Sequence, residues 1–172
     1  TATASGTMTL DTTITSLTAT ATGLSSIVVS ETDSIQLTNV QASDGEISVV
    51  AGGAVTAMNI VSSNDVIGND VSITATSGNI TVGTISVGAT SGAVTLLAIS
   101  GAILDGANDA STDISADQVM ITSSAGIGES TGAGSLDTAV NSLVANVTGA
   151  GLINLNEGNG VTLTSVTTFN GS

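Results

Sequence analysis

A short period runs through this chain and constrains it more than any other feature. Val71-Ser-Ile-Thr-Ala-Thr-Ser-Gly-Asn-Ile80 is matched by Val94-Thr-Leu-Leu-Ala-Ile-Ser-Gly-Ala-Ile103. Runs opening at Ile47 and Val119 fit the same pattern with single-residue slips, and Leu143 opens another. The starts at 47, 71, 94, 119 and 143 are 24, 23, 25 and 24 residues apart. Each unit alternates apolar with small polar residues, turns at Gly or Ser-Gly, and resumes with Ile or Val. Alternation of period two marks a half-buried strand, and the Gly and Asn mark its turns.

A unit this short cannot bury its own apolar face, but a stack of such units can. Each strand then pairs with its equivalents above and below at ~4.8 Å. The spacing therefore predicts an all-β chain, a parallel β-helix (β-solenoid) with coils of about 24 residues and essentially no helix. About seven such coils make a rod ~34 Å long. The inward positions are Val71, Ile73 and Ala75, then Val94, Leu96 and Ala98, with Val119 and Ile121 above them. An antiparallel sandwich also shows short, evenly spaced strands. Coil-to-coil identity is what stacking demands and what a sandwich does not.

A longer repeat encloses the short one. Residues 10–40 and 136–166 align without a gap at an offset of 126, with 13 identities in 31 positions. They read as copies of one longer unit within a single solenoid segment over 1–172.

Composition then removes most functions. The chain has 14 Asp plus Glu and no Lys, Arg or His, for a net charge of −14. With no cation to neutralise phosphates, nucleic-acid binding has no electrostatic basis, and neither does attraction to anionic membrane surfaces. Without His or Cys there is no thiol nucleophile, Ser-His triad, zinc finger or disulfide. Paired acids could in principle hydrolyse a glycoside, but no cation orients substrate, and the aromatic platforms that hold sugar rings are missing. The expectation is a non-enzymatic protein. Disorder is argued against by 41% hydrophobic residues, many of them β-branched, and only 8% charged ones. No apolar run reaches the ~18 residues of a membrane span, so no membrane insertion is expected. Thr1 is not an initiator Met and no basic region precedes an apolar stretch, so the chain reads as a mature or excised segment.

Three runs carry a family resemblance. Ser77-Gly-Asn-Ile-Thr-Val82, Ser91-Gly-Ala-Val-Thr-Leu96 and Gly101-Ala-Ile-Leu-Asp-Gly106 resemble the shaft repeats of filamentous-haemagglutinin-like large bacterial adhesins. So does Asp113-Ile-Ser-Ala-Asp-Gln-Val-Met-Ile-Thr122, followed by Gly126-Ile-Gly128 and Leu136-Asp-Thr138. The resemblance covers most of 70–166 and implies a right-handed coil, an extracellular or cell-surface setting and a structural role. The family's N-terminal secretion domain relies on an Asn-Pro motif, which a chain without Pro does not contain. On this reading the protein is the shaft of an extracellular bacterial adhesin or surface fibre. Its partners are further solenoid coils or copies of itself end to end, and a host or neighbouring-cell surface. A self-assembling filament subunit is the alternative. An ice-binding solenoid is more remote, because Thr20 to Thr76 and Thr74 to Thr162 are 56 and 88 residues apart, neither close to a multiple of 24.

One stretch stands out as a candidate site. Asp105, Asp109, Asp113 and Asp117 are four carboxylates at steps of four, with Asn108 beside Asp109. Oxygen ligands of this kind suit Ca²⁺, the one cofactor the sequence suggests. The loop lacks the bidentate Glu of an EF-hand, and the nonapeptide of calcium-binding β-rolls is missing. Two readings stand at this point, a calcium site and a solvated turn insertion between coils.

Overall fold

A computed structural model describes residues 1–129 and 134–169. Residues 130–133 and 170–172 of the segment read over 1–172 lie outside the described residues. Every described element is a strand, from Ala2–Ala4 to Thr162–Phe169. Every strand pairing is parallel. The chain is a β-solenoid, with strands that return to the same place once per coil. The sandwich is thereby excluded.

Three faces make up each coil. The first stacks Met8–Thr12, Ile27–Glu31, Ile47–Ala51, Val71–Ala75 and Ala93–Ala98 in unbroken register. It continues through 119–123, 143–147 and Thr162–Phe169. The second face stacks 35–37, Val55–Ala57, Ile80–Val82 and Ile103–Asp105, then narrows to single bridges at Ile127 and Ile153. The third stacks Ala2–Ala4, 19–21, 40–42, Ile60–Ser62, Ile85–Ser86, 114–116 and 138–140. Alternation turns one side of the strands within the stack inward, whereas Thr162–Phe169 is exposed along its whole length. Ile47, Val71, Val94, Val119 and Leu143 form one inward column, and Val49, Ile73, Leu96 and Ile121 the next. All eight inward positions expected from the sequence are buried.

Coil length departs from expectation. The structure has about eight coils of about 21 residues rather than seven of about 24. Successive first-face strands start at 8, 27, 47, 71, 94, 119, 143 and 163, steps of 19, 20, 24, 23, 25, 24 and 20. The long steps contain corner insertions, such as 63–70 and 106–112, which add residues without adding strand. At ~4.8 Å per coil, eight coils stand ~38 Å tall.

The two segments aligned in the sequence have matching local structure. Leu10, Asp11 and Thr12 pair with Val29, Ser30 and Glu31. Leu136, Asp137 and Thr138 pair with Leu155, Asn156 and Glu157. The register shift after Leu17 recurs after Leu143. The two segments do not lie on the same faces, however. Leu17 pairs with Leu37 on the second face, whereas Leu143 stacks on Val119 in the first. The offset of 126 residues is not a whole number of coils.

Candidate metal centre

With no Lys, Arg or His in the chain, carboxylates are met by N–H and O–H donors, and neighbouring coils supply them to exposed and half-buried acids as well as to buried ones. Asp44 accepts from Asn64 and Asn69, Asp65 from the Thr90 hydroxyl, Asp70 from Ala93 N–H, and Asp117 from Asn141. All these donors belong to the following coil. Glu31 reaches the other way, accepting the Thr12 hydroxyl at 2.6 Å and Ile14 N–H at 3.0 Å. Glu157 repeats this, with the Thr138 hydroxyl at 2.7 Å and Val140 N–H at 3.1 Å. Burial by itself would raise the Glu31 pKa, but donation from Thr12, Ile14, Asp33 and Thr32 holds it below the usual value.

The corner between the second and third faces carries a polar ladder. Thr18, Asn39 and Asn59 occupy its first rungs, joined by Asn59 Nδ2 donating to Asn39 Oδ1 at 2.6 Å. Main-chain bonds from Ile60 to Thr84, Ile85 to Asp113, and Asp113 to Asp137 carry it upward. Asp137 N–H donates to the Asp113 carboxylate at 2.8 Å, and Asn156 Nδ2 donates to that of Asp137. Two carboxylates therefore sit on adjacent rungs. A third enters from the second face. Asp105 takes the inward position that Val82 holds one coil below, and turns into the corner where the 106–112 insertion closes over it.

Asp105, Asp113 and Asp137 are all buried, and one carboxylate oxygen from each lies within 4.8 Å of the others. The insertion holds Asp105 through Ala107 N–H at 2.8 Å and Asp109 N–H at 3.0 Å. Ser135 donates to Asp137 at 3.2 Å. Burial pushes the Asp113 carboxyl up to about 7. The Asp137 N–H opposes the rise, and the negative charges of Asp105, Asp137 and Asp109 add to it. Such an arrangement has two ways to lower its energy, to hold a proton or to hold a cation. Three hard oxygen donors fit Ca²⁺ or Mg²⁺, with water completing the shell.

Of the four carboxylates expected to act together, the structure joins only Asp105 and Asp113. Asp109 is exposed and contributes its backbone N–H, while its carboxylate accepts Ser111 N–H. Asp117 lies past the third face, bonded to Gln118 and Asn141. The partner that sequence reasoning missed is Asp137. Its signal was present, because it follows Asp113 by 24 residues, one local coil step.

Shallow grooves mark the outer surface, among them one of about 330 Å³ between 146–148 and 167–169 and two smaller ones. One of about 240 Å³ is lined by Gln36, Thr56, Met58, Thr81 and the backbone at Gly83 and Gly106. The other, about 220 Å³, lies on the first face around Thr95, Gln118, Met120 and Val144. Neither contains a titratable group. Compared with protein-family models, with curated proteins and with solved structures, the chain matches none.

Proposed function

We propose that this protein is a structural, non-enzymatic element, a β-solenoid shaft within an extracellular bacterial adhesin or surface fibre. One observation carries the reading. Aliphatic columns continue coil after coil through the interior, and no buried side-chain N or O atom among the described residues lacks a partner. Such a stack resists shortening and bending because each coil is hydrogen-bonded along its faces to the next. Outward faces with few charges and acids gathered mostly at the corners suit a rod that stays apart from its neighbours by charge repulsion. The shaft-repeat resemblance over 70–166 supplies the bacterial and extracellular parts of the proposal.

The test is made on the parent protein in intact cells. Antibodies raised against the folded segment should label unlysed cells at a distance from the envelope, and deleting residues 47–142 in frame, four whole coils that begin and end on the first face, should bring the outermost label inward by ~19 Å. Label seen only after lysis overturns the reading. A filament subunit is the second reading, favoured by the matching strand pairings near both ends of the described chain. Sedimentation across a wide concentration range separates the two, since a subunit lengthens with concentration and a shaft segment does not. Calcium at Asp105, Asp113 and Asp137 is compatible with either, as a brace between coils.

A further inference from the structure

Both ends of the described stack are open sheet edges. Among the described residues, Leu155–Glu157 and Thr162–Phe169 pair only with the coil beneath them. Ala2–Ala4 and Met8–Thr12 pair only with the coil above. Each end thus presents a row of main-chain N–H and C=O groups without strand partners. The upper end also leaves inward positions uncovered. Leu163 tops the first-face column over Val119 and Leu143 at 60% exposure, and Val166 stands on buried Ala145 at 47%. Their counterparts at the offset of 126 residues, Leu37 and Val40, are fully buried, because Ala57 and Ile60 of the next coil cover them.

We propose that a second copy of this chain supplies the covering coil, its Ala2–Ala4 and Met8–Thr12 seated head to tail on Leu155–Glu157 and Thr162–Phe169. Register carries the assignment. One inward column climbs the third face from Ala2 through Val40 and Ile114 to Glu157. Another climbs the first face from Met8 through Val71 and Leu143 to Leu163. From one column to the other the corner takes five to eleven residues in the intervening coils, but six both from Ala2 to Met8 and from Glu157 to Leu163. A second copy therefore meets both columns at once, with its Ala2 over Glu157 and its Met8 over Leu163. Alanine over glutamate repeats a contact the chain already makes. Glu31, the counterpart of Glu157, is buried beneath Ala51 while keeping its Thr12 and Ile14 donors. Thr162–Phe169 carries no charge, so the outward Asp11 of the second copy stacks on no acid. A head-to-tail contact leaves one end free on each side and propagates as an open fibre. The inference rests on the filament-subunit reading and gives that reading its interface.

The chain has no Cys, so introduced thiols report the contact. Thr9→Cys and Ser165→Cys place single thiols at outward positions on the two end strands of the first face. Adjacent rungs stand ~4.8 Å apart, within disulfide reach. The two variants are mixed at ~0.15 M salt, which screens repulsion between copies, and then oxidised. The mixed disulfide should exceed either like pair at least ~5-fold, against about twofold for random collision. In sedimentation the parent should lengthen with concentration. Val166→Asp, which sets a charge on top of an inward column, should need at least ~10-fold more protein to do so. Val50→Asp, at an outward valine of similar exposure (49%), should follow the parent. Melts of the dilute variants report whether each folds. Lengthening with a mixed disulfide no higher than its random share, or with Val166→Asp matching the parent, overturns this contact and leaves the filament reading standing. A parent that does not lengthen overturns both.

Discussion

Replacing Asp113 with Asn removes a charge while keeping an acceptor oxygen for Asp137 N–H, which now binds the carboxylate at 2.8 Å. The carboxyl has its pKa raised from 3.8 to about 7 by burial, with the neighbouring carboxylates adding to the rise. The folded chain therefore holds this proton more tightly than the unfolded chain does. Between pH ~4 and ~7 the folded state binds more protons, so stability falls as pH rises through that window and levels off above it. At ~1.4 kcal/mol per pKa unit the full shift sets a ceiling of ~4 kcal/mol. An effective interior dielectric nearer 20 than 4 brings the expected loss to ~2 kcal/mol. Urea unfolding in EDTA should place D113N level with the parent near pH 4 and ~2 kcal/mol above it at pH 8. Millimolar Ca²⁺ at pH 8 should recover the difference in the parent and leave D113N unmoved, while equivalent Na⁺ moves neither protein. Coincident curves for the two proteins at pH 8 in EDTA refute the buried-carboxyl argument. Parent melts that coincide in Ca²⁺ and EDTA refute the cation site alone.

Three further outcomes are expected. Ile73→Ala, in the middle of an inward column, should cost ~2–5 kcal/mol in denaturant unfolding, against under ~0.5 kcal/mol for outward Thr74→Ala. Gly101→Ala places a Cβ against the carbonyl of Gly78 one coil below and should lower the melting temperature markedly, whereas Gly6→Ala meets nothing and should be near neutral. Glu31→Gln turns an amide towards donors that now meet a carboxylate, costing ~1–3 kcal/mol at neutral pH. Because the Glu31 pKa is lowered on folding, that contribution is present above the usual Glu range and is lost as pH falls through the folded value, so parent and E31Q unfolding curves should converge on acidification.

Local pattern was enough to find the strands and their inward residues. Val71, Ile73 and Ala75 alternate with Ser and Thr, and burial of one side of a pleated strand needs only that alternation. The positions 47, 71, 94, 119 and 143 were also legible, because stacked coils repeat the same residue types and the structure pairs them directly. Coil count was less so, since the corner insertions lengthen the central coils and the steps at either end are shorter. The candidate centre depended most on tertiary structure. Steps of four, as from Asp105 to Asp117, bring side chains together on a helix, but this chain has strands and turns there. In a solenoid two carboxylates meet either one coil apart, as Asp113 and Asp137 do, or across a corner, as Asp105 and Asp113 do. Strand alternation, written into neighbouring residues, was therefore determined by the sequence alone. Which acids share a corner was decided by the register of the whole stack, because that register sums every insertion between them.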